Sequence, residues 1–174
     1  EYSEFDRADW AVHIALWERK DADGKPSDEG SITQAAVALP AYNMTLSTHQ
    51  LPKTPERYEG KPRLVVSRNR ATREAVIVAE ALDCDVARLG SAGAKTMAVV
   101  LGEVDIYVHA GGMYQWDSAA PIAVAAAAGL FTSRIDGTPL VYNRRDAWLP
   151  DLVVCQQHLA QQVIDALRAG RLGA

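Results

Sequence analysis

From Arg63 onward the chain alternates short β-branched runs with helix-period segments, and this alternation constrains the fold more than any other feature of the 174 residues. Arg63 to Ser67 (RLVVS) reads as a strand and Ala71 to Leu82 as a helix with Ala75, Ile77, Val78, Ala81 and Leu82 on its apolar side. Val86 to Leu89 reads as a strand and Ala92 to Leu101 as a helix closed by Gly102. Asp105 to His109 is the next strand and Asp117 to Ala128 the next helix, closed by Gly129. Successive strands joined by helices lie parallel, so this order predicts a mainly parallel sheet flanked by helices. Leu130 to Tyr142 is expected as a hairpin turning at Asp136-Gly137, and Leu152 to Cys155 as a last strand. Gln157 to Ala169 is expected as a final helix ended by Gly170.

The first third has a different period. Asp9 to Glu18 (DWAVHIALWE) puts Trp10, Val12, Ile14 and Leu16 on one side and Ala11, His13, Ala15 and Trp17 on the other, the pattern of a strand buried on both faces. A polar connection, Asp21 to Gly30, leads to a second strand at Ser31 to Ala41 and a third at Met44 to His49, together an antiparallel meander. The charged Pro/Gly segment Lys53 to Lys61 marks the expected boundary. Residues 1–58 are read as antiparallel strands of an incomplete N-terminal domain, and 59–174 as a C-terminal α/β domain. The fold class is α/β, or α+β overall.

Charge narrows the ligands. With 18 basic against 22 acidic side chains the net charge is −4, which offers no basic field to a nucleic-acid duplex or an anionic membrane, so a phosphate must be held locally. The apolar run Ala119 to Phe131 is broken by Pro121 and Gly129 and falls short of the ~20 residues of a spanning helix. It reads as a buried helix. Cys84 and Cys155 form neither a disulfide framework nor a zinc cluster and are read as reduced thiols of a cytoplasmic protein.

In a strand-helix-strand sheet, ligands bind beyond the C-terminal strand ends, which directs attention to three junctions. At Val66-Ser67-Arg68-Asn69-Arg70 either Ser67 or Thr72 caps the following helix; the arginines are solvated, or contact an anion. At Leu89-Gly90-Ser91-Ala92-Gly93-Ala94-Lys95 small residues permit close backbone approach, Ser91 can cap, and Lys95 lies one turn on, so the turn suits an anion. It lacks the spacing of a Walker A loop. At His109-Ala110-Gly111-Gly112-Met113-Tyr114-Gln115-Trp116-Asp117, the carboxylate of Asp117 is either a helix cap or a hard-metal ligand facing a cleft. Tyr114 and Trp116 are read as packing residues and His13 as a satisfied core histidine, while His49 and His158 lack metal-ligand spacing.

The segment Trp116-Asp117-Ser118-Ala119-Ala120 and its alanine-rich helix resembles the C-terminal signature of the inositol monophosphatase superfamily. Further matches follow in order: the strand Trp10 to Leu16, the strand end Ser67-Arg68, the turn Gly90 to Lys95, and Pro139 to Asn143. The resemblance covers nearly the whole chain. It implies a layered αβαβα sandwich and a phosphomonoesterase using two or three Mg²⁺ ions, with Asp117 as catalytic metal ligand. It also implies Ser91, Lys95, His109 and Arg68 as substrate contacts, a small phosphorylated nucleotide or an inositol or sugar phosphate as ligand, and a possible homodimer. Within the superfamily the chain is more similar to the bisphosphate nucleotidases of the CysQ type, which remove the 3′-phosphate of 3′-phosphoadenosine 5′-phosphate. Lys95 stands where that branch carries a lysine, and Ala110 where the inositol branch carries a glutamate. His109 departs from the arginine of several nucleotidases, and the spacing of Ser91 and Lys95 follows the inositol pattern.

The family's acidic pair and its Asp-Pro-Ile/Leu-Asp-Gly-Thr motif are absent from the sequence. Relatives follow that motif with Glu-Phe or Glu-Tyr, and this chain opens Glu1-Tyr2-Ser3, so it is expected to be a C-terminal fragment that is inactive alone. The meander's outer face should then carry uncovered apolar surface. Ile135-Asp136-Gly137-Thr138 mimics the missing motif, but Ser133 and Arg134 replace its Asp and Pro, and it reads as a turn. Two readings of other chemistry stay open: an inositol or sugar phosphatase, and a non-catalytic binding or oligomerisation module.

Overall fold

The computed structural model describes residues 8–20, 25–52 and 58–172; the reading of Glu1 to Ser3 and the linker from Lys53 to Arg57 lie outside them. Two sheets and four helices build the described molecule. Strands β1 (Val12–Lys20), β2 (Pro26–Leu39) and β3 (Met44–Ser47) form an antiparallel sheet in that order, with His13 opposite Val37 and Val37 opposite Leu46. The connection after β1 is shorter than expected, because the ladder resumes at Lys20 and Pro26. A proline at the first position of a strand costs no ladder donor there.

The second sheet contains β4 (Arg63–Ser67), β5 (Asp85–Leu89), β6 (Ile106–Tyr114), β7 (Phe131–Ser133) and β8 (Trp148–Cys155), ordered β5-β4-β6-β8-β7. Helix α1 (Arg73–Ala81) follows β4, α2 (Ala92–Val100) follows β5, α3 (Ala119–Ala127) precedes β7, and α4 (Ala160–Leu172) ends the described chain. The pairs of β4 with β5 and β6 are parallel, whereas β8 runs antiparallel to β6 and β7, so the sheet is mixed. No second arm forms at Pro139 to Tyr142: β7 pairs with β8, which begins at Trp148 rather than Leu152. The turn at Asp136-Gly137 does form, with the Asp136 carboxylate accepting from the Thr138 N–H at 2.9 Å and its hydroxyl at 2.6 Å. Helix α4 continues past Gly170, where a Cβ would lie 2.6 Å from Ile77 Cδ1; the glycine lets α4 approach α1 and does not end the helix.

Strand alternation sorts the buried side chains into two cores. Val65, Tyr107, Leu152 and Val154 face one way, toward Met97, Val100 and Val124 of α2 and α3, beyond which lie Val37 and Leu39 of the first sheet. Leu64, Ile106, Val108 and Val153 face the other way, toward Val78 of α1 and Val163 and Leu167 of α4. The layers therefore run sheet, helix pair, sheet, helix pair. Helix α2 is caught between two sheets and is buried from Gly93 to Val100, which explains a sequence with no polar face.

Strand β1 departs from the expected double burial. Its outer face is open, with Ile14 70% and Val12 and Leu16 each 48% exposed, which is the apolar surface expected of the meander. Among the described residues only the His13 and Trp17 face packs inward, where α3 covers β1.

Candidate functional site

Helix α1 packs on one face of the five-stranded sheet and α2 on the other, and the crevice between them opens at the C-terminal ends of β4 and β5. This crevice is a cleft of about 640 Å³. All five residues singled out from the sequence, Arg68, Ser91, Lys95, His109 and Asp117, line it. Three loops far apart in the chain meet there because β4, β5 and β6 are parallel and present the same ends.

Thr72 caps α1 by accepting from the Ala75 N–H, which leaves Ser67 on the cleft wall. Ser91 caps α2 through the Ala94 N–H at 3.3 Å and holds a left-handed φ of 41°. Such a backbone costs roughly 1–3 kcal/mol in a non-glycine residue and persists where its surroundings over-determine it. Gly93 owes its size to β1: a Cβ there would fall 2.0 Å from His13 Nε2. The small-residue turn thus serves packing on its inner side as well as access on its outer side.

Lys95 is 4% exposed, with Nζ 3.5 Å from the Gly90 carbonyl and 5.2 Å from the Tyr107 ring centroid. Burial pulls its pKa down to about 8, opposed by the negative charge of Asp9. An ammonium with so few protein partners at the base of an open cleft is poised for an anion. Arg68 reaches the cleft from the loop after β4, with Nη2 2.5 Å from Asp9 Oδ2.

His109 lines the cleft with both ring nitrogens engaged inside the protein. The Gly112 carbonyl can only accept, so Nε2 donates to it at 3.1 Å and Nδ1 accepts from the Tyr107 hydroxyl at 3.1 Å. Burial holds its pKa below the usual imidazole value, so the ring is neutral at pH 7. The carbonyl that anchors it belongs to a bulge: the β6–β8 register slips between Ala110 and Met113, where Gly111 and Gly112 have φ of 97° and 87°. A Cβ on Gly112 would lie 1.8 Å from Trp148 Cζ2. Gly112→Ala is expected to destabilise the fold by about 2–4 kcal/mol through strain and overpacking together, read as a lower denaturant midpoint.

Asp117 ends a 3-10 turn (Gln115–Asp117) rather than starting α3, and its Oδ2 accepts from the Tyr114 N–H at 3.0 Å. Trp116 is not a core residue. It is 61% exposed, lines the cleft and stacks on Tyr114 with ring centroids 4.5 Å apart.

Two residues of the site escaped the sequence reading. Asp9 is 4% exposed and accepts from both Arg68 and the Gly90 N–H, while its buried Oδ1 has no partner among the described residues. His13, read as a satisfied core residue, borders the cleft: Nδ1 donates to the Trp116 carbonyl at 3.5 Å and the buried Nε2 has no partner among the described residues. An acidic residue directly ahead of an apolar strand was the one available signal for Asp9.

No group of three His, Cys, Asp or Glu side chains that could hold a metal ion occurs among the described residues. Asp117 offers one carboxylate to the cleft, and Asp9 is committed to Arg68 and Gly90. A Mg²⁺ ion demands near-octahedral oxygen ligation, which one carboxylate does not fix, so the described residues alone do not make a magnesium site.

Residues 8–170 match the sequence model of the inositol monophosphatase family. The chain belongs to that family. It is 45% identical over 170 residues to a protein of Mycobacterium tuberculosis (strain CDC 1551 / Oshkosh) named 3′-phosphoadenosine 5′-phosphate phosphatase, covering 96% of this chain and 62% of that protein. The chain thus spans less than two thirds of that relative's length. Solved members share the family fold: staphylococcal IMPase-II superposes with a TM-score of 0.72 at 16% identity, over 97% of this chain and 64% of that one. CysQ from Bacteroides thetaiotaomicron superposes with a TM-score of 0.66 at 18% identity, over 86% of this chain and 64% of that one. Among the described residues no helix is long and apolar enough to cross a membrane.

Proposed function

We propose that the whole protein is a cytoplasmic Mg²⁺-dependent phosphomonoesterase that removes the 3′-phosphate from 3′-phosphoadenosine 5′-phosphate. The observation that carries this reading is the meeting, in one cleft, of the Asp117 carboxylate with the cations Arg68 and Lys95 and the N-terminus of α2. Helix N–H groups and an ammonium of low pKa complement phosphate oxygens, and a guanidinium adds a fork suited to a second anionic group. The 45% identity to a mycobacterial phosphatase of that name favours the nucleotide over an inositol or sugar phosphate.

In this reading Lys95 and the Ser91 turn hold phosphate oxygens, Arg68 orients the substrate, and Asp117 supplies one carboxylate oxygen to Mg²⁺ beside ligands from outside the described residues. Held there, Mg²⁺ would supply polarisation of the phosphate and a lowered pKa for the attacking water. His109, with both nitrogens engaged, shapes the cleft by fixing the Gly112 bulge. Cys84 and Cys155 stay free thiols, in keeping with a reducing compartment.

A substrate panel with Mg²⁺ tests the assignment. We expect kcat/KM for 3′-phosphoadenosine 5′-phosphate to exceed that for inositol 1-phosphate or fructose 1,6-bisphosphate by at least about 100-fold, the discrimination that misplaced polar groups enforce. Equal or better turnover of the inositol ester would reverse it.

A further inference from the structure

Asp9 stands behind the cleft wall, ahead of β1, and touches two of the groups that face a ligand. Its Oδ2 accepts from Arg68 Nη2 at 2.5 Å and from the Gly90 N–H. Gly90 in turn accepts Lys95 Nζ on its own carbonyl. A single carboxylate therefore joins the loop after β4 to the turn before α2, across 59 residues of sequence to Arg68 and 81 to Gly90.

We propose that Asp9 is a positioning residue for anion recognition: its carboxylate fixes the Arg68 guanidinium and the Gly90 peptide in the arrangement that receives a phosphate. The nature of the substrate rests on the phosphatase reading above; the placement does not.

Stability alone does not account for this carboxylate. It is almost fully buried, and one of its oxygens has no partner among the described residues; burial raises its pKa, but the bonds from Arg68 and Gly90 outweigh that and hold it below the usual carboxylate value, yet a pair whose arginine remains 45% exposed is screened by solvent and adds little to stability. Electrostatics alone points the other way, since a negative charge behind an anion site weakens anion binding. The two accounts predict opposite signs. If Asp9 acted only through its charge, Asp9→Asn would tighten phosphate binding. If it positions Arg68 and Gly90, the same change weakens binding, because the neutral amide loses the charge-assisted bond that aims the guanidinium.

The charges around Lys95 reinforce the second sign. Asp9 acts on it from the segment ahead of β1, Arg68 lies on the loop after β4, and Tyr107 and His109 face it from β6. Among the described residues, the charge of Asp9 favours the charged form of Lys95.

The test uses the whole protein, with inorganic phosphate as the probe for calorimetry and 3′-phosphoadenosine 5′-phosphate for kinetics. Asp9→Asn is expected to weaken phosphate binding about 10-fold and to raise KM by a similar factor, with kcat within about 3-fold of native, the size of a lost hydrogen bond to a charged group. Arg68→Gln should show a similar loss, and the double variant should lose less than the product of the two single losses, because both share the Arg68–Asp9 contact while Asp9 also holds Gly90. Tighter or unchanged phosphate binding in Asp9→Asn, or multiplicative losses in the double variant, overturns the proposal. Should Asp9→Asn not fold, Asp9→Glu replaces it: the carboxylate moves by about 1.5 Å, and native phosphate affinity in that variant is equally fatal. A native protein that binds phosphate but leaves the nucleotide intact sinks the nucleotidase reading and not this one; a native protein that binds no phosphate sinks both.

Discussion

Asp117→Asn is expected to lower phosphate release from 3′-phosphoadenosine 5′-phosphate by at least about 1,000-fold at saturating Mg²⁺, with the melting temperature within about 2 °C of native. The two halves of that expectation rest on different atoms. The 3-10 turn carrying Asp117 is held by its neighbours: Gln115 Nε2 donates to the Asp146 carbonyl at 2.8 Å, Gln115 Oε1 accepts from the Arg144 N–H at 3.2 Å, and Ser118 meets the Tyr142 hydroxyl at 3.1 Å. Asp117 itself contributes one bond to the turn, from the Tyr114 N–H, and an asparagine oxygen accepts that bond equally well. What asparagine lacks is the charge. A neutral amide is a poor ligand for a hard cation, so it weakens the hold on the Mg²⁺ that would balance the negative charge gathering on a hydrolysing phosphate. Phosphate-release assays beside thermal melts separate the two effects, and a variant retaining a tenth of native kcat would remove Asp117 from the reaction.

The cleft was legible in the sequence because it is built from strand-to-helix junctions, and a parallel array brings those junctions together wherever their residues fall in the chain. Arg68, Ser91, Lys95, His109 and Asp117 fall in the three junction segments, and the family resemblance supplied their expected roles. Asp9 and His13 do not, because they come from the first strand of the other sheet and the segment just ahead of it. Within Asp9 to Glu18 a two-residue period separates the two faces but does not say which face meets a neighbouring layer, and only the tertiary fold brings Asp9 to Arg68. Strand β8 was shortened for a similar reason. Pro150 argues locally against a strand, yet it lies between Leu149 and Asp151, opposite the Gly111-Gly112 bulge, where the β6 ladder is interrupted and no N–H is required. The Trp116 exposure was equally unreadable, since an aromatic residue beside a helix start reads as core until the turn that carries it outward is seen.

Lys95→Met is expected to separate function from stability in opposite directions. Methionine has nearly the shape of the lysine stem, so the packing of α2 between its two sheets survives, and the interaction given up is a 3.5 Å contact with the Gly90 carbonyl and a ring contact with Tyr107. A buried ammonium costs stability wherever it is charged in the folded state. Because burial lowers its pKa from 10.5 to about 8, the unfolded chain binds the proton more readily, and native stability rises as pH increases between those values. Methionine removes that cost, so the variant should melt at or above the native temperature at pH 7. Activity should move the other way, with kcat/KM for the phosphorylated nucleotide falling about 100-fold, the worth of one charge-assisted contact in a partly desolvated site. The pH profile supplies the decisive signature. In the native protein kcat/KM should fall above about pH 8 as Lys95 loses its proton, and bound phosphate should shift the corresponding limb of kcat upward by favouring the ammonium. In Lys95→Met that alkaline limb should vanish. If the limb stays in place, or the melting temperature drops steeply while activity holds, Lys95 is a structural residue and the anion is held by other groups of the cleft.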